Sequence, residues 1–201
     1  MVEEFRPAFG RGLTVVTAVL GVVVVVFVAA TSGAGDALAT LPWALLFTAC
    51  CWAIFWNPRV VVSDGSVRLV NVTRTIDVPW PSIVDVETRY ALTLVTTYGR
   101  FAAWAAPAPG AGGALRTAMR SRPRAVDGVD QVQAVTMGEV PGTASGDAAT
   151  IVRRRWNRLR ADGFLDEPRL EFDAPPIRWH WQIGLVVAGL AVLSMGTLVA
   201  A

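Results

Sequence analysis

The sequence predicts an α+β protein in which three membrane-crossing helices carry a small antiparallel β module closed by one amphipathic helix. Three observations predict it. Residues 12–35, 38–56 and 181–201 hold no charged side chain, and each stretch is long enough to cross a hydrocarbon core of about 30 Å. Six short segments rich in Val, Ile, Leu, Thr and aromatics crowd residues 59–106. Beyond a Gly- and Pro-rich region, Val152, Trp156 and Leu159 recur at helical spacing.

Composition sets the same bounds. Of 201 residues, 53% are hydrophobic and 17% charged, a balance that suits a membrane protein with an attached polar part. All eighteen basic residues are Arg, which with the Ala, Val and Gly excess suggests a GC-rich bacterial genome. A net charge of +2 is too small to imply a nucleic-acid partner. Cys50 and Cys51 are adjacent in an apolar segment and lack zinc-site spacing, so they read as small buried hydrophobes.

The chain divides into an N-terminal membrane hairpin (1–57), a central domain (58–165) with a flexible insertion at 107–148, and a linker leading to a third span (166–201). Residues 1–11 read as a short polar lead. The first span, about 13–31, contains the run Val22–Val26. A cleaved signal peptide is the competing reading, but the run is long for such a segment and a second span follows at once. Thr31–Ala37 is the expected turn. The second span, about 38–56, places Trp43, Trp52 and Trp56 near its ends as an aromatic belt would, and Asn57-Pro58 stops it. The third, about 180–200, follows Arg178, Trp179 and His180.

Arginine placement gives an orientation. Arg6 and Arg11 precede the first span, the 31–37 turn has no basic residue, and Arg59 and Arg178 flank the centre. The positive-inside bias then expects the N-terminus and residues 57–178 in the cytoplasm of a bacterial plasma membrane, with the C-terminus outside.

The six strands are expected at Arg59–Asp64, Val67–Thr73, Thr75–Trp80, Ile83–Thr88, Leu92–Thr97 and Arg100–Ala106. Ser63-Asp64-Gly65-Ser66 has the Asp-Gly of a type I′ hairpin, and Tyr98-Gly99 suggests a second tight turn. Pro79 and Pro81 cannot both sit in a central ladder, so Trp80 marks an edge or a strand end. Within the insertion, Ala114–Arg120 and Gln131–Met137 are a candidate helical turn and strand. The helix at 148–162 is expected to take Asp147 as N-cap and Gly163 as C′, with Leu159 and Phe164 in contact as in a Schellman motif. On the third span, Gly184 and Ala188 form a small-xxx-small pair that permits close helix contact.

Two spans followed by RVVVSDGSVRLVN, TIDVPWPSIVDVE and GRFAAWA resemble the bacterial PH-like-domain membrane proteins common in actinobacteria. The resemblance covers about residues 5–107, and the 148–165 helix fits the C-terminal helix of that fold. It implies a PH-like β roll capped by one helix, and it supplies no catalytic residues. Two departures stand out: the long insertion leaves the last strands of the roll hard to place, and a third span follows the domain.

The residues argue against an enzyme. The single histidine, His180, lies between two tryptophans at a membrane boundary, whereas a metal site needs several clustered ligands. HExxH, GxSxG, GxxxxGK[ST] and CxxC are absent, and Asp85 and Glu87, on one strand face, read as a solvated surface. No cofactor, metal or small-molecule substrate is expected. Spans without charges do not suit a transporter. The sharpest surface feature is Arg153, Arg154, Arg155, Arg158 and Arg160, which could dock on anionic headgroups or simply form a solvated helix face. A phosphoinositide-type pocket in the first hairpin has only Arg68 nearby. The expected function is a non-catalytic module for protein–protein interaction or scaffolding at the membrane, as an accessory subunit of a larger complex. Trp80 and the 153–160 face are its candidate surfaces, and anionic-lipid sensing through the arginine helix is the alternative.

Overall fold

The computed structural model describes residues 2–108, 143–165 and 173–200. The expected helical turn at 114–120, the strand at 131–137 and the flexibility of the insertion lie outside the described residues. The chain divides into two compact units. One is formed by residues 1–5, 59–71 and 75–177, the other by 6–58, 72–74 and 178–201.

The β unit contains eight strands, two of which reach into residues of the other unit. They are β1 (Glu3–Phe5), β2 (Arg59–Val62), β3 (Ser66–Val70), β4 (Arg74–Pro79), β5 (Ile83–Glu87), β6 (Ala91–Thr96), β7 (Gly99–Pro107) and β8 (Ile177–Trp179). They form a five-stranded sheet, β1-β2-β3-β4-β8, and a three-stranded sheet, β5-β6-β7. All six expected strands are present, because period-two burial and cross-strand register agree. Val62, Val67 and Val78 form one apolar row across β2, β3 and β4, and Val60, Leu69 and Ile76 form the next. A slip of one residue would turn both rows to solvent. Leu92 and Leu94 of β6 and Ala103 and Ala105 of β7 complete the buried cluster.

The strands that sequence pattern missed are the two shortest. Glu3–Phe5, read as a polar lead, pairs with β2, and β8 lies beside β4, where the Asp77 amide donates to the Pro176 carbonyl over 3.0 Å. Three residues are too few to display a period. β1 is held instead by distant partners: Phe5 packs on the core, and Glu4 pairs with Arg59 at 3.2 Å.

The first turn differs in detail. A type I′ turn needs positive φ at Gly65, and Gly65 does not have it. The connection is closed by Ser63, whose amide donates to the Ser66 carbonyl and whose Oγ accepts from the Ser66 amide. At the second turn, Gly99 does take φ +124°, and Thr96 Oγ1 accepts from the Tyr98 amide. β4 ends at Pro79, followed by a single 3-10 turn, Trp80–Ser82.

Helix α3 (Ala144–Ala161) packs on β2, β5, β6 and β7, burying Ala148, Ala149, Val152 and Leu159, with Trp156 partly covered. It begins earlier than expected. Thr143, not Asp147, is the N-cap, and its Oγ1 accepts from the Gly146 amide at 3.1 Å. Asp147 instead lies in the first turn, where a carboxylate favours the positive end of the helix dipole. The other end is the expected Schellman motif. Gly163 has φ +75°, its amide reaches the Arg160 carbonyl, and the Phe164 amide reaches that of Leu159.

The helical unit contains α1 (Ala8–Thr31), α2 (Ala34–Cys51) running into one π turn at Trp52–Trp56, and α4 (Trp181–Ala200). All three are long and apolar enough to cross a membrane. The turn between α1 and α2 is tighter than Thr31–Ala37, because Asp36 sits well in the first turn of α2 and Gly33 alone, at φ +98°, reverses the chain. The close approach that Gly184 would permit is not made among the described residues, since a Cβ there would meet nothing within 4 Å. The close approach is on α1: a Cβ on Gly10 would lie 2.4 Å from the Phe55 carbonyl oxygen, and one on Gly21 would touch Ala44.

Candidate interaction surfaces

The two surfaces expected from sequence fare differently. Trp80 is not on a surface. It is 2% exposed and belongs to the hydrophobic core, and its indole Nε1 donates to the Ser63 carbonyl over 3.0 Å. The flanking prolines end the strand and turn the ring inward. This placement pins the β2–β3 turn to the end of β4.

The arginines of α3 are divided. Arg153 donates to the Val86 carbonyl at 2.7 Å, Arg154 pairs with Glu3 at 2.6 Å, and Arg155 pairs with Asp64. These three tie the helix to β5, β1 and the β2–β3 turn. Arg160 stacks on Trp156, 4.8 Å from the ring centroid, and Arg158 projects to solvent. The i, i+1, i+2 run of arginines was legible in sequence. Its partners Val86, Asp64 and Glu3, which lie 67, 91 and 151 positions away, were not.

The outer edge of β5 is closed in the middle. The Val86 amide donates to Asp85 Oδ1 at 2.7 Å, and the Val86 carbonyl is taken by Arg153. A peptide adding as a further strand would have to displace both side chains.

The three-stranded sheet offers a different surface. Along β7, Phe101, Ala103 and Ala105 turn toward the core, which leaves Ala102 and Trp104 outward, and Trp104 is 58% exposed. Thr93 pairs with Ala102 while Ala91 pairs with Pro107, so five positions of β7 answer two of β6. Such a bulge bends a strand and re-aims its side chains. Asn71, just past β3, fills the interrupted ladder. Its Nδ2 donates to the Ala102 carbonyl at 3.0 Å, and its Oδ1 accepts from the Trp104 amide at 2.8 Å. A side-chain amide thus stands in for a strand's peptide group and fixes the backbone beneath an outward indole. No local motif marks Trp104. The signal available was Phe101, whose parity assigns Ala103 and Ala105 inward and Trp104 outward.

Asn71→Ala is expected to lower the stability of the β unit by about 1–2 kcal/mol, two modest hydrogen bonds' worth. Hydrogen exchange should show protection lost at the Trp104 amide. Undiminished protection there would refute the bridging role.

Among the described residues, no group of three or more His, Cys, Asp and Glu is placed to hold a metal. His180 acts as a latch: its amide donates to the Thr73 carbonyl at 2.8 Å, and its ring Nδ1 lies 3.3 Å from the Val72 oxygen.

Strands in two sheets capped by one helix, in a chain with three apolar helices, define an α+β PH-like protein of membrane-protein type. Residues 57–141 match the family model described as a bacterial PH domain. No curated protein and no solved structure matches the chain.

Proposed function

We propose that the chain is a non-catalytic, three-span plasma-membrane protein, of the kind common in actinobacteria, that holds its PH-like domain in the cytoplasm. There it binds another protein, as a scaffold or the accessory subunit of a larger membrane complex. The observation that carries this reading is Trp104. A large aromatic is exposed on a backbone locked by Asn71, so little order remains to be lost on binding. Trp is among the residues that most often anchor protein interfaces. The arginine helix supports the domain's own fold more than a lipid contact, which lowers the claim of the lipid-sensing alternative.

Arginine placement supports the orientation. The four arginines of the helical unit are Arg6, Arg11, Arg74 and Arg178, and the single acidic residue in its hairpin turn region is Asp36. The positive-inside bias favours the arginine-bearing end in the cytoplasm.

In-cell photo-cross-linking from position 102, beside Trp104, tests the reading. One discrete adduct with a second protein is expected, and it should vanish in the Trp104→Ala variant while thermal stability stays unchanged. No adduct, or one that survives Trp104→Ala, would overturn it.

A further inference from the structure

The geometry points to a binding site for anionic phospholipid headgroups at the arginine-bearing end of the helical unit, formed by Arg11 with Trp56 and by Arg74 with Trp179. Helix packing brings these residues to one end. The start of α1 meets the π turn at Gly10 and Phe55, and Ala49 and Trp52 of the second helix line a shallow apolar recess with Gln182, Ile183 and Val186 of α4. The His180 latch then fixes residues 72–74, and Arg74 with them, beside the start of α4.

The chemistry at that end is specific. The Arg11 guanidinium lies 5.1 Å from the Trp56 ring centroid, and that of Arg74 lies 5.6 Å from Trp179. Stacking on a ring face orients a guanidinium without consuming its N–H donors. Neither arginine forms a salt bridge to a carboxylate among the described residues. Each therefore retains the planar fork that grips phosphate oxygens in a bidentate manner. Trp179 and Trp181 are 63% and 65% exposed at the head of a membrane-crossing helix, the depth at which indoles meet headgroups. The arginines of α3 contrast with these, because three of them are already engaged by Glu3, Asp64 and the Val86 carbonyl. The occupant is a lipid rather than free phosphate, since the donors stand at the ends of apolar helices whose outer faces need acyl chains.

The test is native mass spectrometry of the full-length protein offered equal phosphatidylglycerol and phosphatidylcholine with matched chains. Preferential retention of phosphatidylglycerol is expected, falling about fivefold for each of Arg11→Gln and Arg74→Gln, while Arg158→Gln leaves it unchanged. Equal retention of the two lipids by the wild type, a preference untouched by the double substitution, or displacement of phosphatidylglycerol by inorganic phosphate would overturn the site. Should the variants fail to fold, the wild type still decides. Brominated phosphatidylglycerol must quench tryptophan fluorescence more than brominated phosphatidylcholine, and equal quenching rejects the proposal.

Discussion

Replacing Gly10 with alanine should open the joint between α1 and the π turn. The added Cβ would sit 2.4 Å from the Phe55 carbonyl oxygen, a backbone atom that cannot swing aside. Overpacking of this kind costs about 1–3 kcal/mol, although alanine is intrinsically the better helix former by about 1 kcal/mol. Gly12, two residues on, meets nothing within 4 Å, so Gly12→Ala carries the propensity gain without the clash. Thermal unfolding of the two full-length variants in mild detergent should move in opposite directions. Parallel shifts would show that the helices do not approach as closely as Gly10 requires.

Trp80→Ala should be the most damaging single change in the β unit, at about 3–5 kcal/mol. It removes a core indole and leaves the Ser63 carbonyl without its 3.0 Å donor. Trp80→Phe keeps most of the volume and loses the hydrogen bond, worth about 1 kcal/mol. Denaturant unfolding of the full-length protein that ranks wild type, Phe and Ala in that order would confirm a structural role. A variant with Ala at this position that folds normally would restore Trp80 as a surface residue.

Trp80 marks where local sequence pattern stops. Period-two alternation located six strands and a 3.6-residue repeat located α3, because burial on one face leaves a local imprint. The Gly163 Schellman end was legible for the same reason, since that motif is confined to a few consecutive residues. Trp80 was misplaced because two prolines announce the end of a strand without saying which way the next side chain turns. β1 and β8 were missed because each is defined by its partner and not by its own composition. The candidate site divides likewise. Arg153–Arg160 was visible as a charge run, but whether an arginine is free depends on acids elsewhere in the chain. Trp104 matters through Asn71, 33 positions away, and no local pattern links them.

The pairing of Glu3 with Val62 has a consequence for biogenesis. Its two halves are separated by 59 positions that include two helices long and apolar enough to cross a membrane. At about 5–20 residues per second, β2 emerges roughly 3–12 s after β1. The neighbouring strands β2, β3 and β4 are joined by short turns and can pair as soon as they are made. β1 must therefore wait as an unpaired polar segment, and it joins a sheet that younger strands have already built.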